Sequence, residues 1–368
     1  MGATRPSRIA ASRTARAPPP HRLTHPHAAA GATKRRGAAA GRLRGVWHTI
    51  GPHITGVVDP LVGAQSDDDD GLGGPSSEAV VQTLWLRHLA EEQRSLLRDR
   101  LLPMPEPRAG RDAGAAQAAA QALQRDGVVF LRSVVPRELC DALKADVDAR
   151  AARARLQLGP GLRRVDALLD WSGAGRAAAN AAAGPGGVAA VLSRLPDATA
   201  DAQLVEFSVL STEPGAQRQV LHPDARADAS HAPLYSLFVA LQDVAPEMGP
   251  TTFILRTHDA ASHAAFPAGP LVASARALLR DAHAVDAPLR KGDAALYDAR
   301  VFHAGGCNDP HAGARRGLLT LTFVRPPVPP APERRNSGGA AFSITPEVMA
   351  LGLTAGEMAR QAAAVAAR

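Results

Sequence analysis

From residue 204 onward the chain alternates short apolar or β-branched runs with turn residues. The runs are Leu204–Leu210, Gln219–Leu221, Tyr235–Leu241, Thr252–Leu255, Ala294–Tyr297 and Leu318–Phe323. Several short strands at this spacing predict a sandwich or a jelly roll. Upstream the period is helical. Leu84, Leu86, Leu89, Leu96, Leu97 and Leu101 are spread among charged residues over 77–101, until Pro103 and Pro105 stop the pattern. Residues 113–125 form an Ala/Gln helix ending at the turn pair Asp126-Gly127, and Val128–Leu131 follows as a short buried strand. After Pro136, Leu139, Leu143 and Val147 recur at four-residue spacing with Glu138, Asp141 and Lys144 on the polar side. Residues 157–200 are rich in Ala, Gly and Pro and carry no clear period. Near the end, Thr345-Pro346-Glu347 has the form of a helix start, with Thr as cap and Pro at the first position. The pattern predicts an α+β protein with a mainly β core, a jelly roll flanked by amino-terminal helices.

Charge divides the chain further. Residues 1–50 hold 10 Lys/Arg and no Asp or Glu, and the first acid is Asp59. Removing that segment leaves 32 basic and 35 acidic residues, so the overall +7 becomes −3. The basic character belongs to a leader, and a body of net negative charge argues against a nucleic-acid footprint. An Arg-rich, acid-free leader is the composition of a transit peptide, which directs the expectation to an organelle, chloroplast or mitochondrion, and otherwise to the cytoplasm. Residues 51–112 read as an acidic linker, with the run Asp67–Asp70, and a helical segment. Residues 113–330 read as the main domain, and 331–368 as a Pro-rich linker with a terminal helix. Two cysteines, Cys140 and Cys307, cannot build a disulfide framework, and Cys307 reads as a small buried residue. No apolar run reaches the length of a membrane span. Oligomeric state is not legible.

Within the β region, His222-Pro223-Asp224 sets an imidazole and a carboxylate two residues apart. On extended backbone, positions i and i+2 face the same way, so both can reach one ion. His303 lies several strands later. Two histidines and one carboxylate form a facial triad, the donor set of non-haem iron(II) oxygenases, and leave positions open on the metal. A His-x-Asp pair alone is a weak signal, because a loop His and a turn Asp meet by chance.

The surrounding segments sharpen it. Arg125-Asp-Gly-Val-Val-Phe-Leu-Arg132 precedes the Leu139 helix. Pro214-Gly215 leads into Gln219-Val-Leu-His-Pro-Asp224. Ala240-Leu-Gln-Asp-Val-Ala-Pro-Glu-Met-Gly-Pro-Thr251 runs on to Thr257-His258, and Lys291-Gly-Asp293, Tyr297-Asp298 and His303-Ala-Gly-Gly-Cys-Asn308 follow. In this order the segments resemble the phytanoyl-CoA dioxygenase family of iron(II)/2-oxoglutarate-dependent oxygenases, from about residue 120 to 325.

The resemblance implies a double-stranded β-helix and an iron(II) ion on His222, Asp224 and His303. It also implies 2-oxoglutarate as co-substrate and dioxygen as oxidant, with hydroxylation of an unactivated carbon and release of succinate and carbon dioxide. Halogenating relatives lack the carboxylate that Asp224 supplies, which favours hydroxylation. The family places an arginine soon after the distal His to hold the co-substrate's far carboxylate, and a planar guanidinium suits that role. Arg315 and Arg316 are the candidates, only one can face inward, and the pattern favours Arg316. Gln219 either hydrogen-bonds the co-substrate or ends a strand. Asp298 either orients a ligand or serves a turn, Gly249 reads as a tight turn, and His231, His258, His283 and His311 read as loop histidines. The expected partner is a small-molecule or acyl substrate, contacted by loops near 157–200 and 259–288. The competing readings are a metal-binding jelly roll that uses no 2-oxoglutarate and a silent interaction protein on the same fold.

Overall fold

The computed structural model describes residues 77–106, 113–154, 163–196, 201–227, 233–267, 271–325 and 343–367. All of them fall in one compact unit, Leu43–Arg368. The leader 1–50, the acidic run 67–70, the Pro-rich stretch 326–333 and His231 lie outside the described residues.

Among the described residues, ten strands form two sheets. In chain order they are β1 (Leu101–Leu102), β2 (Val128–Leu131), β3 (Arg164–Leu168), β4 (Gln203–Thr212), β5 (Leu234–Ala240), β6 (Thr251–Ile254), β7 (Ala284–Ala287), β8 (Ala294–Asp298), β9 (His303–Gly305) and β10 (Arg316–Val324). The larger sheet runs β2-β8-β5-β10-β4-β3 and the smaller runs β1-β7-β6-β9. This is the two-sheet arrangement expected of a jelly roll.

The larger sheet is buried on both faces, so alternation along its strands sorts side chains between two interiors. On β10, Leu319, Leu321 and Phe323 point to the outer face, where they join Leu123, Leu143 and Ala179 of the helices Ala113–Asp126, Arg137–Ala154 and Gly173–Ala183. Each of those β10 side chains is fully shielded, and such burial stabilises the fold by roughly 1.5–3 kcal/mol apiece. The intervening positions Arg316, Leu318, Thr320 and Thr322 face the space between the sheets. There Leu318 meets Phe238, Phe253 and Val285 in a second core.

The helix Ser77–Leu97 is tied to the smaller sheet. Arg94 makes a bidentate pair with Asp286 at 3.0 and 2.7 Å, and Asp286 also accepts from the Thr252 hydroxyl. Among the described residues no helix is long and apolar enough to cross a membrane. At the carboxyl end Thr345 caps a helix with Pro346 at its first position, as its sequence indicates.

Three sequence expectations change. Gln219–Leu221 is not a ladder strand; only His222 bridges His303, and Pro223, which lacks an N–H, follows immediately. Residues 157–200, unreadable by period, supply edge strand β3 and the helices Gly173–Ala183 and Val188–Leu192. Cys307 is exposed, while Cys140 is buried.

Candidate metal centre

Residues 219–224 run beside β9 and carry the first two chemical groups. The backbone N–H of Gln219 donates to Gly305 at 2.9 Å, and His222 and His303 exchange both backbone hydrogen bonds at 3.0 and 2.9 Å. Gln93 of the amino-terminal helix is buried and accepts the Leu221 N–H at 2.8 Å, so that helix helps fix the segment. Asp224 and Ala225 both donate backbone N–H groups to the Ala299 carbonyl. These bonds place residues of two distant segments side by side.

His222, Asp224 and His303 consequently converge, with one donor atom from each lying within 4.8 Å of the others. His222 Nε2 is 3.8 Å from Asp224 Oδ1, and His303 Nε2 is 3.5 Å from Asp224 Oδ2. Both rings are oriented by their own chain. His222 Nδ1 lies 2.8 Å from the Val220 carbonyl, and His303 Nδ1 lies 3.0 Å from the Val301 carbonyl. A carbonyl only accepts, so each Nδ1 carries the hydrogen and each Nε2 keeps its lone pair for the centre. Burial, and then the neighbouring His303, push the His222 imidazole down to about 4, which keeps it neutral and able to ligate. Phe253 stacks on His303 at 5.8 Å, fixing its plane. Tyr297 donates to Asp224 Oδ2 at 2.9 Å, while buried Asp224 Oδ1 has no hydrogen-bond partner. Two imidazoles oriented by backbone carbonyls, one oriented carboxylate and a vacant buried acceptor fit a divalent iron ion.

The neighbours Arg315, just before β10, and Arg316, its first residue, face opposite ways. Arg315 points outward, pairing with Asp148 at 2.8 Å and Glu213 at 2.5 Å. Arg316 points inward and is 1% exposed; its Nη2 donates to Thr212 at 3.2 Å, and its Nε and Nη1 have no partner among the described residues. Burial lowers its pKa to about 10, so it remains charged at neutral pH. It shares a small recess with Phe238, Phe253, Leu289 and Leu318. A charged fork with two vacant donors in an apolar recess fits a ligand carboxylate.

The sequence matches the family profile described as "Phytanoyl-CoA dioxygenase (PhyH)" over residues 123–317, just over half of the chain. The chain belongs to that family. It is an iron- and 2-oxoglutarate-dependent enzyme. No curated protein matches it. Several solved structures are similar over part of the chain, among them three. One is the non-heme alpha ketoglutarate dependent epimerase SnoN from nogalamycin biosynthesis, 23% identical, TM-score 0.43, covering 58% of this chain and 84% of that one. Another is AviO1 from Streptomyces viridochromogenes, 23% identical, TM-score 0.42, covering 61% and 100%. The third is EctD from S. alaskensis with 2-oxoglutarate and 5-hydroxyectoine, 18% identical, TM-score 0.43, covering 61% and 81%.

Other sequence candidates serve the scaffold. The Gln219 side-chain carbonyl accepts the Gly305 N–H at 2.8 Å, locking this segment to β9, and a Cβ at Gly305 would lie 2.6 Å from it. Asp298 accepts from the backbone and guanidinium of Arg300, a turn role, and does not orient a histidine. Gly249 adopts φ +66°, and a Cβ there would meet the Cys307 carbonyl at 2.4 Å, so the turn requires glycine. His258 contacts the Gln124 carbonyl as a loop residue.

Two members of the site were not singled out from sequence. Tyr297 belongs to the Tyr297-Asp298 pair, but nothing in the sequence gives its hydroxyl a target; the fold does so by setting β8 beside Asp224. Arg164 of β3 is the other. It donates to the carbonyls of Gln217 at 2.6 Å and Gly306 at 2.8 Å, holding the exits of both metal-motif segments. Burial, then the Arg316 and Arg218 charges, push it down to about 9. Nothing in the Ala/Gly-rich stretch around Arg164 marks it.

Proposed function

We propose that the enzyme hydroxylates an unactivated carbon of a small-molecule substrate, with His222, Asp224 and His303 holding iron(II). Arg316 takes the far carboxylate of 2-oxoglutarate, and Arg315 takes no part. The iron and co-substrate, once bound, supply the oxidising chemistry; the protein's part is to position and shield them. His222 and His303 present oriented Nε2 lone pairs, Asp224 completes one face, and Phe253 and Leu318 keep water from the recess that Arg316 closes. The observation that carries this reading is the pairing of a convergent triad with a buried guanidinium whose two donors are vacant.

Measuring succinate release from 2-oxoglutarate tests it. Purified protein with iron(II) and air should form succinate, even without substrate, at a slow rate that His222→Ala abolishes and Arg316→Ala lowers. Succinate formation unaffected by both variants would refute the assignment. The acid-free leader supports one further proposal, delivery to an organelle, which a fluorescent fusion of residues 1–50 tests by its location.

A further inference from the structure

The inner face of the larger sheet is polar at the end away from Arg316. Glu206, Thr322, Ser236 and Tyr297 are register partners across β4, β10, β5 and β8. Their side chains are linked in the same order. The Thr322 hydroxyl hydrogen-bonds Glu206, Ser236 lies 2.8 Å from Thr322 and bonds Tyr297, and Tyr297 reaches Asp224. Glu206 also senses the Asp224 charge directly. Arg316 and Thr322 are six positions apart on β10, about 20 Å of extended chain. The co-substrate recess and this row therefore lie toward opposite ends of β10.

A second carboxylate joins the row. Asp166 of edge strand β3 raises the Glu206 carboxyl by its charge, and both lie in hydrogen-bond contact with the Ser343 hydroxyl, whose single hydrogen serves one of them at a time. Glu206 and Asp166 are deeply enclosed yet keep accessible surface, which is the situation of residues in a cleft wall. Their partners are hydroxyls, and no ion pair with Lys or Arg forms at either among the described residues. Asp166 Oδ1 is without a partner. Independently, Thr320 is 5% exposed and its hydroxyl has no partner. Thr320 shares the inward face with Thr322 and pairs in register with Ser208 of β4, so its hydroxyl is aimed into the same space.

We propose that this face binds the substrate, and that the substrate is a small cationic amine bearing further polar groups, not an acyl chain. The inference rests on the function proposed above, in that the Asp224 end of the barrel is taken as the place of reaction. A carboxylate without a cation and a hydroxyl without a partner are costly to shut away from water, and an apolar chain would satisfy neither. An ammonium group has three donors and a positive charge; on binding it takes the place of the proton that Glu206 holds below about pH 8, and both carboxylates then accept from it. Thr320 then serves a neighbouring polar group of the ligand. Glu206 and Asp166 are specificity-determining residues in this account.

The test uses the metal-free full-length chain, with n-pentylammonium as probe and 1-pentanol and pentanoate as controls of equal length. Binding is read by ligand-observed NMR. Selective binding of the ammonium, weakened at least tenfold by Glu206→Gln and by Asp166→Asn, is the expected result. Thr320→Val supplies a variant of matched shape in case the carboxylate variants misfold, and it too should weaken the probe. Equal or tighter binding of pentanol or pentanoate overturns the proposal. So does absence of ammonium binding at millimolar probe, or ammonium binding that none of the variants changes. Iron and 2-oxoglutarate are absent from this experiment, so its failure is distinct from failure of the metal assignment.

Discussion

The Tyr297 hydroxyl donates to Asp224 Oδ2 at 2.9 Å, from a fully shielded position on β8. Burial, then the Asp224 and Glu206 charges, hold the phenol well above its usual range, so it is a donor at every working pH. The carboxylate is thereby oriented with Oδ1 left for a metal. Partners of this kind contribute roughly 10- to 100-fold to metal affinity. Tyr297→Phe keeps the ring contacts with Phe238 and Phe253. It should lower iron(II) affinity by about that factor, with thermal stability little changed. Anaerobic iron titration checks it; unchanged affinity would mean the bond is incidental.

Arg315 and Arg316 are neighbours with opposite surroundings, and their variants should separate cleanly. Charge-assisted hydrogen bonds are worth about 1.5–3 kcal/mol, so Arg316→Ala should weaken 2-oxoglutarate binding by roughly 10- to 100-fold. Arg316→Lys should restore it only in part, because a point charge cannot reproduce the fork. Arg315→Ala removes half-exposed pairs with Asp148 and Glu213 and should change stability by no more than about 1 kcal/mol, leaving co-substrate affinity intact. Calorimetric titration of the three variants decides.

Gln93 couples the amino-terminal helix to the centre through the Leu221 N–H. Gln93→Leu retains bulk but leaves that buried N–H unsatisfied, at a cost of about 1–3 kcal/mol. Chemical denaturation should show the loss, and iron affinity should fall with it because His222 is the next residue. A stability loss without any effect on iron would show that the helix supports only the fold.

Stability should also depend on pH through Glu206. Burial, then the Asp166 charge, push its carboxyl up to about 8. The fold therefore holds a proton that the unfolded chain releases at ordinary carboxylate pH. The contribution is complete below the unfolded pKa and is lost as pH rises through about 8. Metal-free wild type should lose melting temperature between about pH 5 and pH 9, and Glu206→Gln should lose less over the same window. Parallel slopes would place the titration elsewhere.

The site was legible where chemistry and period-2 geometry coincide. His222 and Asp224, two apart, are brought to one point by the bridge of His222 to His303 and the turn of Asp224 onto Ala299, and adjacent Arg315 and Arg316 diverge as neighbours on extended backbone do. The central strands β5, β8 and β10 were legible because both faces are buried, leaving nearly unbroken apolar runs. Short strands were not: β7 reads Ala-Val-Asp-Ala and β9 only His-Ala-Gly, too brief for a pattern. Edge strand β3 is half exposed and interleaves Arg164 and Asp166 with apolar residues, so its importance arises from neighbours that only the fold supplies. Cys307 departs from expectation because the burial of its neighbours Gly306 and Asn308 does not extend to it.

The central claim is that these side chains hold iron(II) and 2-oxoglutarate together. The direct measurement is the visible metal-to-ligand charge-transfer band on adding iron(II) and then 2-oxoglutarate to oxygen-free protein. The account predicts a band in the wild type, lost in His222→Ala and weakened in Arg316→Ala. A folded wild-type protein that gives no band would contradict it.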